Sequence, residues 1–414
     1  MKAKIYRGTK EIGGTCVELK ADNGRILWID LGMPLDKSNP NIDYVKKNKP
    51  DALLISHPHL DHYGLMEFVN QDTPVYIGSV SRELINAPRI FLNFPFIKKD
   101  FRIMEPRKPF VIAETFKITP YLVDHSSPEA FAFLIEADEK RIFYSGDFRA
   151  TGRKKILFEN LIKNPPPNID LLLLEGTMIK RENKDYKNEE DIEYAFVDLF
   201  KNQKNISIVI SSAQNIDRFV SVVRACKQTG KKVVIDIYNA WVLEKVKEKS
   251  PKLPTIEWKE VLVYRQDYYL EKISGSEYDD FREKISKNFI DDKVFEKPSD
   301  FVYFLRHPSL EFVKALIKKG KINLIYSQWK DYLLEENKTT NVINTIWKMN
   351  GDLPQIIHTS GHATTDVLIE FSKALKPKII IPIHTQFPEK MKEEFENDGM
   401  KNVYLWDDNK EYEL

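Results

Sequence analysis

The segment from Ser56 to His62, with the sequence SHPHLDH, constrains the fold of this 414-residue chain more than any other feature. It directly follows the apolar run 52–55, which predicts a buried strand. Imidazole nitrogen and carboxylate oxygen are ligands that zinc and similar divalent ions accept. A loop at a strand end can turn the first two histidines toward one ion and the Asp-His pair toward a second. The segment therefore predicts a metal centre at the end of a strand.

Three further potential ligands follow apolar runs elsewhere in the chain. His125, Asp147 and His384 each lie within three residues of the end of a predicted strand. Five of the 8 histidines of the chain therefore stand at predicted strand ends. Taken singly, each of these three residues could be structural, but together they complete two sets of metal ligands.

This series of motifs resembles the metallo-β-lactamase superfamily, which implies an α/β chain with an αββα sandwich and two divalent ions. The resemblance assigns one ion to His57, His59 and His125, the other to Asp61, His62 and His384, and the bridging position to Asp147. A hydroxide between the ions would be the nucleophile, because each ion lowers the pKa of the water. Zinc is the expected metal, with manganese as the alternative.

Two more motifs narrow the resemblance to the β-CASP family, which handles nucleic acids, and within it to ribonuclease J and its prokaryotic relatives. Glu175 ends the run LLLLE, and His362 stands in TSGHA before a predicted helix. The resemblance implies catalytic roles for both, alongside Asp61. Glu175 would orient a metal-bound histidine, and His362 would donate to the scissile phosphate or the leaving oxygen. A surface ion pair is the alternative for Glu175.

Four residues are candidates for contact with nucleic acid in addition to His362. Ser360 and Gly361 precede a predicted helix, whose first amides attract a phosphate, although the pair could also form a plain turn and cap. Ser212 and Trp329 follow apolar strands, and strand ends of α/β sheets bind ligands. Trp329 would stack on a base, with packing in the core as the alternative.

The organisation of the chain changes after residue 177. Residues 1–177 read as the first part of a metallo-β-lactamase domain, and residues 346–414 read as its second part. Between them, residues 178–345 alternate apolar strands with helices, which is typical of a parallel sheet. We expect this insertion to be an α/β β-CASP domain. Because few residues follow His384, no counterpart of the C-terminal domain of ribonuclease J is expected.

The amino-acid composition bears on which partners the protein can bind and in which cellular compartment it is expected. There are 63 basic and 62 acidic residues, so a nucleic-acid groove must be a local arrangement of charge. Cys16 and Cys226 form no CxxC pair, which favours a reducing compartment. The apolar runs are too short to span a bilayer, and the first residues lack an apolar signal region. These observations predict a cytoplasmic protein without a membrane partner.

The expected function is a metal-dependent ribonuclease that hydrolyses single-stranded RNA as an endonuclease, a 5′-exonuclease or both. The expected products carry a 5′-phosphate and a 3′-hydroxyl. A DNA nuclease of the same family, a small-molecule hydrolase and a non-enzymatic subunit are the alternatives, and a homodimer is left open. The seven candidate ligands argue against the non-enzymatic subunit.

Overall fold

The computed structural model describes residues 1–35, 40, 42–183, 185–334, 338–351 and 353–414. The chain divides into two compact units. The first comprises Met1–Ile85, Ile97–Glu182 and Gly361–Leu414, and the second comprises Asn86–Phe96 and Asn183–Ser360. The insertion expected at residues 178–345 overlaps most of the second unit, and its exact limits as a domain stay a prediction.

The first unit contains a sheet whose described part has seven strands. In spatial order these are β20 (Glu411–Glu413), β1 (Lys2–Arg7), β2 (Cys16–Lys20), β3 (Ile26–Ile29), β4 (Ala52–Leu54), β5 (Val75–Gly78) and β6 (Phe101–Met104). The sheet is antiparallel from β20 to β3 and parallel from β3 to β6. All three residues of β4 are buried, as is typical of an interior parallel strand.

A second sheet of the same unit has six described strands. In spatial order these are β19 (Ile379–Ile383), β11 (Leu171–Glu175), β10 (Lys140–Tyr144), β9 (Ala130–Ala137), β8 (Phe116–Val123) and β7 (Phe110–Ile112). Strand β19 pairs parallel to β11, which brings the last segment of the chain beside Glu175. In β8, Phe116 and Ile118 are buried while Lys117 is exposed, the alternation expected of a strand with one face in a core.

Helices cover the outer faces of these two sheets. Ile5 and Leu19 of the first sheet share one core with Phe131 and Phe133 of the second, so the sheets pack face to face. Against the first sheet pack α1 (Asp43–Lys47), α2 (Leu60–Tyr63) and α3 (Ser79–Leu92). Against the second pack α4 (Ile156–Lys163), α12 (Thr365–Leu375) and α13 (Pro388–Asn397). This is the αββα arrangement that the resemblance implied.

The second unit is built on a parallel sheet, as the alternation of strands and helices predicted. Its described strands, in spatial order, are β15 (Phe289–Ile290), β14 (Val261–Tyr264), β13 (Lys232–Ile235), β16 (Phe301–Leu305), β12 (Ile206–Ile210), β17 (Ile322–Tyr326) and β18 (Gln355–Ile356). Every neighbouring pair is parallel. The helices are α5 (Glu189–Asn202), α6 (Ile216–Thr229), α7 (Ile237–Lys247), α8 (Asp267–Lys272), α9 (Asp279–Ser286), α10 (Leu310–Ile317) and α11 (Lys338–Asn350).

Side-chain caps fix where the main helices of the second unit begin. Asn188, Asn215, Asp236 and Ser309 each accept a hydrogen bond from a backbone amide in the first turn of the helix that follows. Helix α6 ends at Gly230, whose φ of 72° is the left-handed conformation that glycine adopts without strain. In the part of the chain that the structure describes, no helix combines the length and the apolar character required of a transmembrane segment.

A buried arginine ties α6 to the chain that leaves the second unit. Arg218 is fully buried and its Nη2 lies 3.0 Å from Oε1 of Glu189. Its guanidinium also donates to the backbone carbonyls of Ser327 at 3.0 Å, Ile357 at 3.3 Å and Thr359 at 3.4 Å. A buried charge needs this many partners to offset its loss of hydration. The hydrogen bonds of Arg218 therefore hold the segment that leads to residue 360.

The apolar run 403–406 predicts a final strand, and this prediction is wrong. Only Val403 forms a bridge there, to Ile380, whereas the last strand is β20. Trp406 stacks on Tyr412 with ring centroids 4.2 Å apart. The apolar residues of this stretch are therefore used for packing over the edge of the first sheet.

Candidate metal centre

Three histidines form a compact cluster in the first unit. His57 and His59 lie in the loop after β4, and His125 follows β8. Nδ1 of His59 is 3.0 Å from Nε2 of His57 and 3.2 Å from Nε2 of His125. Two nitrogens bound to one tetrahedral zinc ion at about 2.0–2.1 Å would be roughly 3.4 Å apart. The spacing of the cluster therefore suits a single ion.

These imidazoles are held in the neutral form that a metal ion requires. Burial, followed by the neighbouring histidines, lowers the pKa of His57 and His125 well below the usual range, and burial lowers the pKa of His59 to about 4. In the neutral ring of His125, Nδ1 donates to the carbonyl of Gly361 at 2.6 Å. Its Nε2 therefore presents a lone pair to the cluster.

Gly361 can approach His125 this closely because it has no side chain. A Cβ atom at this position would lie 2.5 Å from Oγ of Ser126 and 3.3 Å from Cε1 of His125. The glycine predicted to contact nucleic acid thus has a clear structural role in orienting a candidate ligand.

A second cluster, formed by Asp61, His62 and His384, lies beside the first. Nε2 of His384 is 3.2 Å from Oδ2 of Asp61, and Nε2 of His62 is 3.9 Å from the same oxygen. Asp147 connects the clusters, because its Oδ2 is 3.1 Å from Nε2 of His62 and 3.7 Å from Nε2 of His57. The structure therefore brings all seven predicted ligands together, with Asp147 in the shared position.

The environment of His62 favours positive charge. Its Nδ1 lies 2.7 Å from Oδ2 of Asp30, and Nδ1 is the donor in this contact. Its Nε2 is buried and has no partner in hydrogen-bonding geometry, although a carboxylate oxygen of Asp147 is 3.1 Å away. Burial opposes a charge on His62, but Asp147, Asp30 and Asp61 outweigh it and raise its pKa. Two groups of acceptors facing each other in a buried site fit a divalent ion.

Asp30 is a functional residue that the sequence reasoning missed. Its buried carboxylate accepts hydrogen bonds from Nδ1 of His62 at 2.7 Å, the hydroxyl of Tyr144 at 2.6 Å, and both the amide and the hydroxyl of Ser56 at 2.7 Å. It therefore fixes the orientation of His62. The signal was present, because Asp30 directly follows the apolar strand β3 just as Asp147 follows β10.

Asp30→Asn is expected to weaken binding of the ion held by His62 by about 10- to 100-fold, because the orienting charge is lost. Metal content after dialysis against a graded series of chelator concentrations measures this effect. Asp72→Asn is the matched control, since the side chain of Asp72 is 82% exposed. Equal metal retention by the two variants would contradict the role of Asp30.

Glu175 contacts His362 rather than one of the seven predicted metal ligands. Nδ1 of His362 lies 3.1 Å and 3.3 Å from the two oxygens of Glu175 and 3.8 Å from Oδ2 of Asp147. The carboxylate of Glu175 also accepts from the amides of Phe148 at 3.1 Å and Thr177 at 3.2 Å. Burial disfavours a charge on His362, but Glu175 and Asp147 outweigh it and raise its pKa.

The remaining candidates for nucleic-acid contact lie in the second unit. The amide of Ser360 donates to Oδ1 of Asn183 at 3.1 Å. Oγ of Ser212 accepts from the amide of Gln214 at 3.3 Å, so it closes its own turn. Trp329 follows β17 and is half-buried. A role of these residues in RNA binding stays a prediction.

Comparison with known proteins identifies the family. Residues 29–235, half of the chain, match the family described as a beta-lactamase superfamily domain. The protein belongs to the metallo-β-lactamase superfamily. Residues 348–405 of this superfamily member match a second family, described as a Zn-dependent metallo-hydrolase RNA specificity domain. Together with the relatives below, these matches confirm a β-CASP, ribonuclease J-like member and a metal-dependent hydrolase.

Curated relatives match this metallo-β-lactamase chain over most of its length. Ribonuclease J of Mycoplasma pneumoniae is 23% identical over 424 residues, covering 93% of this chain and 68% of the relative. Ribonuclease J of Helicobacter pylori strain 26695 is 23% identical over 446 residues, covering 98% of this chain and 60% of the relative. An RNase J-like protein of Methanocaldococcus jannaschii is 27% identical over 183 residues, 42% of either chain.

A solved structure supports the same fold. The crystal structure of a protein of unknown function from Enterococcus faecalis V583 superposes with a TM-score of 0.78. The match covers 100% of this chain and 99% of that chain at 18% sequence identity. At this identity the likeness shows the fold alone.

Proposed function

We propose that this protein is a ribonuclease that hydrolyses phosphodiester bonds of single-stranded RNA with two divalent ions, zinc or manganese. The observation that carries the proposal is the pair of adjacent ligand clusters with Asp147 facing both. RNA as the substrate is supported by the match of residues 348–405 and by the name of the relatives that cover 93% and 98% of the chain.

The geometry of the clusters supports the following ligand sets. One ion would be held by His57, His59 and His125, the other by Asp61, His62 and His384, and both would share Asp147. Two ions held there would supply a water of lowered pKa and positive charge facing the phosphate oxygens. The protein supplies buried, neutral imidazoles for the first ion, and Asp30 fixes the ring of His62 for the second.

His362 is the general acid in this proposal. Burial opposes a charge on the imidazole, but Glu175, which contacts Nδ1, and Asp147 raise its pKa and so favour the protonated form. Water adds to phosphorus and loses one proton to solvent, and the bond between phosphorus and the 3′ oxygen breaks. His362 donates its proton to that oxygen and is reprotonated from solvent. The products then carry a 5′-phosphate and a 3′-hydroxyl. Products ending in a 2′,3′-cyclic phosphate would contradict this sequence of steps.

The deciding experiment is a time course with end-labelled single-stranded RNA and DNA of the same sequence. Each is incubated with and without added zinc or manganese, using wild type, Asp61→Ala as the blank and the exposed-site variant Asp72→Ala as the control. We expect metal-dependent RNA cleavage that is lost in Asp61→Ala and retained in Asp72→Ala. The product ladder separates endonuclease from 5′-exonuclease action.

Two other outcomes would reassign the function. Cleavage of DNA alone would make the protein a DNA nuclease of the same family. No cleavage of either strand by a protein that retains both ions would favour a small-molecule hydrolase or a subunit that requires a partner.

A further inference from the structure

A row of aromatic rings lies in the second unit and includes none of the residues used in the proposed mechanism. The aromatic row comprises Tyr238, Phe91, Tyr269 and Tyr268. Successive ring centroids are 5.5 Å, 5.3 Å and 5.6 Å apart. Tyr238 lies in the first turn of α7, just after the C-terminal end of β13, and is buried. Tyr268 lies on α8 and is 62% exposed, so the row runs from a strand end to the solvent.

A cation stands over the ring at each end of the aromatic row. Nζ of Lys272 is 4.9 Å from the centroid of Tyr268, and Cζ of Arg306 is 5.3 Å from the centroid of Tyr238. Among the described residues, no carboxylate lies within 4.0 Å of either cation. The basic residues of the neighbouring helices are neutralised in the pairs Lys245–Glu248, Lys247–Glu257, Arg282–Asp279, Lys284–Glu244 and Lys287–Glu283. Lys272 therefore stands outside any direct ion pair with a described residue at the exposed end of the row, whereas Arg306 at the buried end interacts electrostatically with the carboxylate of Asp236.

The segment that contributes Phe91 also presents apolar side chains to solvent. Leu92, Phe94 and Phe96 are 63%, 58% and 46% exposed. The segment is held in place, because the amide of Phe94 donates to the carbonyl of Arg89 at 3.0 Å. Exposed apolar side chains grouped in one short segment indicate a surface that binds a partner.

We propose that the exposed end of the aromatic row, Tyr268 with Lys272 beside it, binds an unpaired base and the backbone of single-stranded RNA. This inference rests on the proposed function, because it assigns additional contacts with the same RNA substrate. Bases stack on exposed rings, and the phosphates between them are attracted to cations. Lys272 stands over the ring of Tyr268, and this residue is 62% exposed, so a base can reach the ring from solvent. A duplex would not bind in this way, because its base faces are already stacked.

The test compares RNA affinities of variants at exposed tyrosines of the second unit. Tyr268→Ala removes the ring, Tyr268→Phe retains it, and Tyr194→Ala removes a tyrosine that is 72% exposed on α5. The probe is a labelled, cleavage-resistant phosphorothioate RNA of about 15 nucleotides, bound to the metal-loaded protein and followed by fluorescence anisotropy. We expect Tyr268→Ala to raise Kd about 5- to 150-fold. Tyr268→Phe and Tyr194→Ala should stay within about twofold of wild type.

The charge of the row is tested separately by salt dependence. Lys272→Ala is expected to reduce the slope of log Kd against log salt concentration by about 0.7, the value for one phosphate contact on a single strand. An unchanged slope would remove Lys272 from the proposed surface.

The outcomes separate this inference from the proposed function. If wild type cleaves RNA and Tyr268→Ala binds as tightly as Tyr194→Ala, the inference is overturned and the function stands. If wild type neither binds nor cleaves RNA, both fail. If Tyr268→Ala instead changes the molar mass measured by light scattering while RNA affinity is unchanged, the row is a protein interface and the inference is overturned.

Discussion

Asp147→Asn is expected to reduce RNA hydrolysis roughly a thousandfold, because it weakens both metal sites at once. Oδ2 of Asp147 faces Nε2 of both His62 and His57, at 3.1 Å and 3.7 Å. Asparagine has the same shape but lacks the charge that both ions would share. Initial rates with saturating zinc or manganese, together with the metal content of the purified variant, measure the effect.

The interpretation of Asp147→Asn depends on retention of the fold. Asp147 is 2% exposed, so a circular dichroism spectrum and a thermal unfolding curve must accompany the rates. Asp72→Asn again serves as the exposed control. A folded Asp147→Asn protein that binds both ions and cleaves RNA at the wild-type rate would refute the shared position.

His362→Ala is expected to lower kcat by about 10²- to 10⁴-fold while leaving the metal content unchanged, because it removes the proposed acid but none of the seven ligands. The variant Glu175→Gln tests the same role of His362 through its pKa. The carboxylate of Glu175 raises the pKa of His362, so the protonated acid is present below that pKa and is lost as pH rises through it. Removing the charge should move this loss to lower pH.

The pH dependence of kcat, compared between wild type and Glu175→Gln, measures this effect. The high-pH limb should shift toward lower pH in the variant, with little change in the low-pH limb. His307→Ala, at an exposed histidine of the second unit, controls for the loss of an imidazole elsewhere. A high-pH limb at the same position in wild type and Glu175→Gln would show that His362 is not the titrating acid.

The seven candidate ligands were predictable because each follows a strand with a strong apolar signal. Strands β4, β8, β10 and β19 coincide with runs in which apolar residues are either continuous or alternate with polar residues. The ends of these strands meet in the folded unit. Polar residues that follow the strands in the sequence therefore lie close together in space. What local signals could not supply was the distance of Asp147 from both clusters, which depends on how the two sheets pack.

The features that the sequence analysis did not predict depend on contacts between segments that are distant in the sequence. Asp30 contacts His62 because the end of a strand packs against the segment that carries His62. No fixed sequence spacing predicts this contact. Glu175 meets His362 because β11 pairs with β19, which brings the last segment of the chain alongside. The stretch 264–299 gives little sequence signal because α8 and α9 are short and highly charged, so their apolar pattern is weak.

The division of the first unit into segments has a consequence for biosynthesis. The ribosome releases His57, Asp61 and Asp147 early, then the long segment Asn183–Ser360 of the second unit, and only afterwards Gly361 and His384. His384 completes one cluster, and the carbonyl of Gly361 orients His125 in the other. A nascent chain therefore carries most of its ligands for the greater part of translation without a finished site for either ion, and a premature stop codon within the second unit would leave both clusters incomplete.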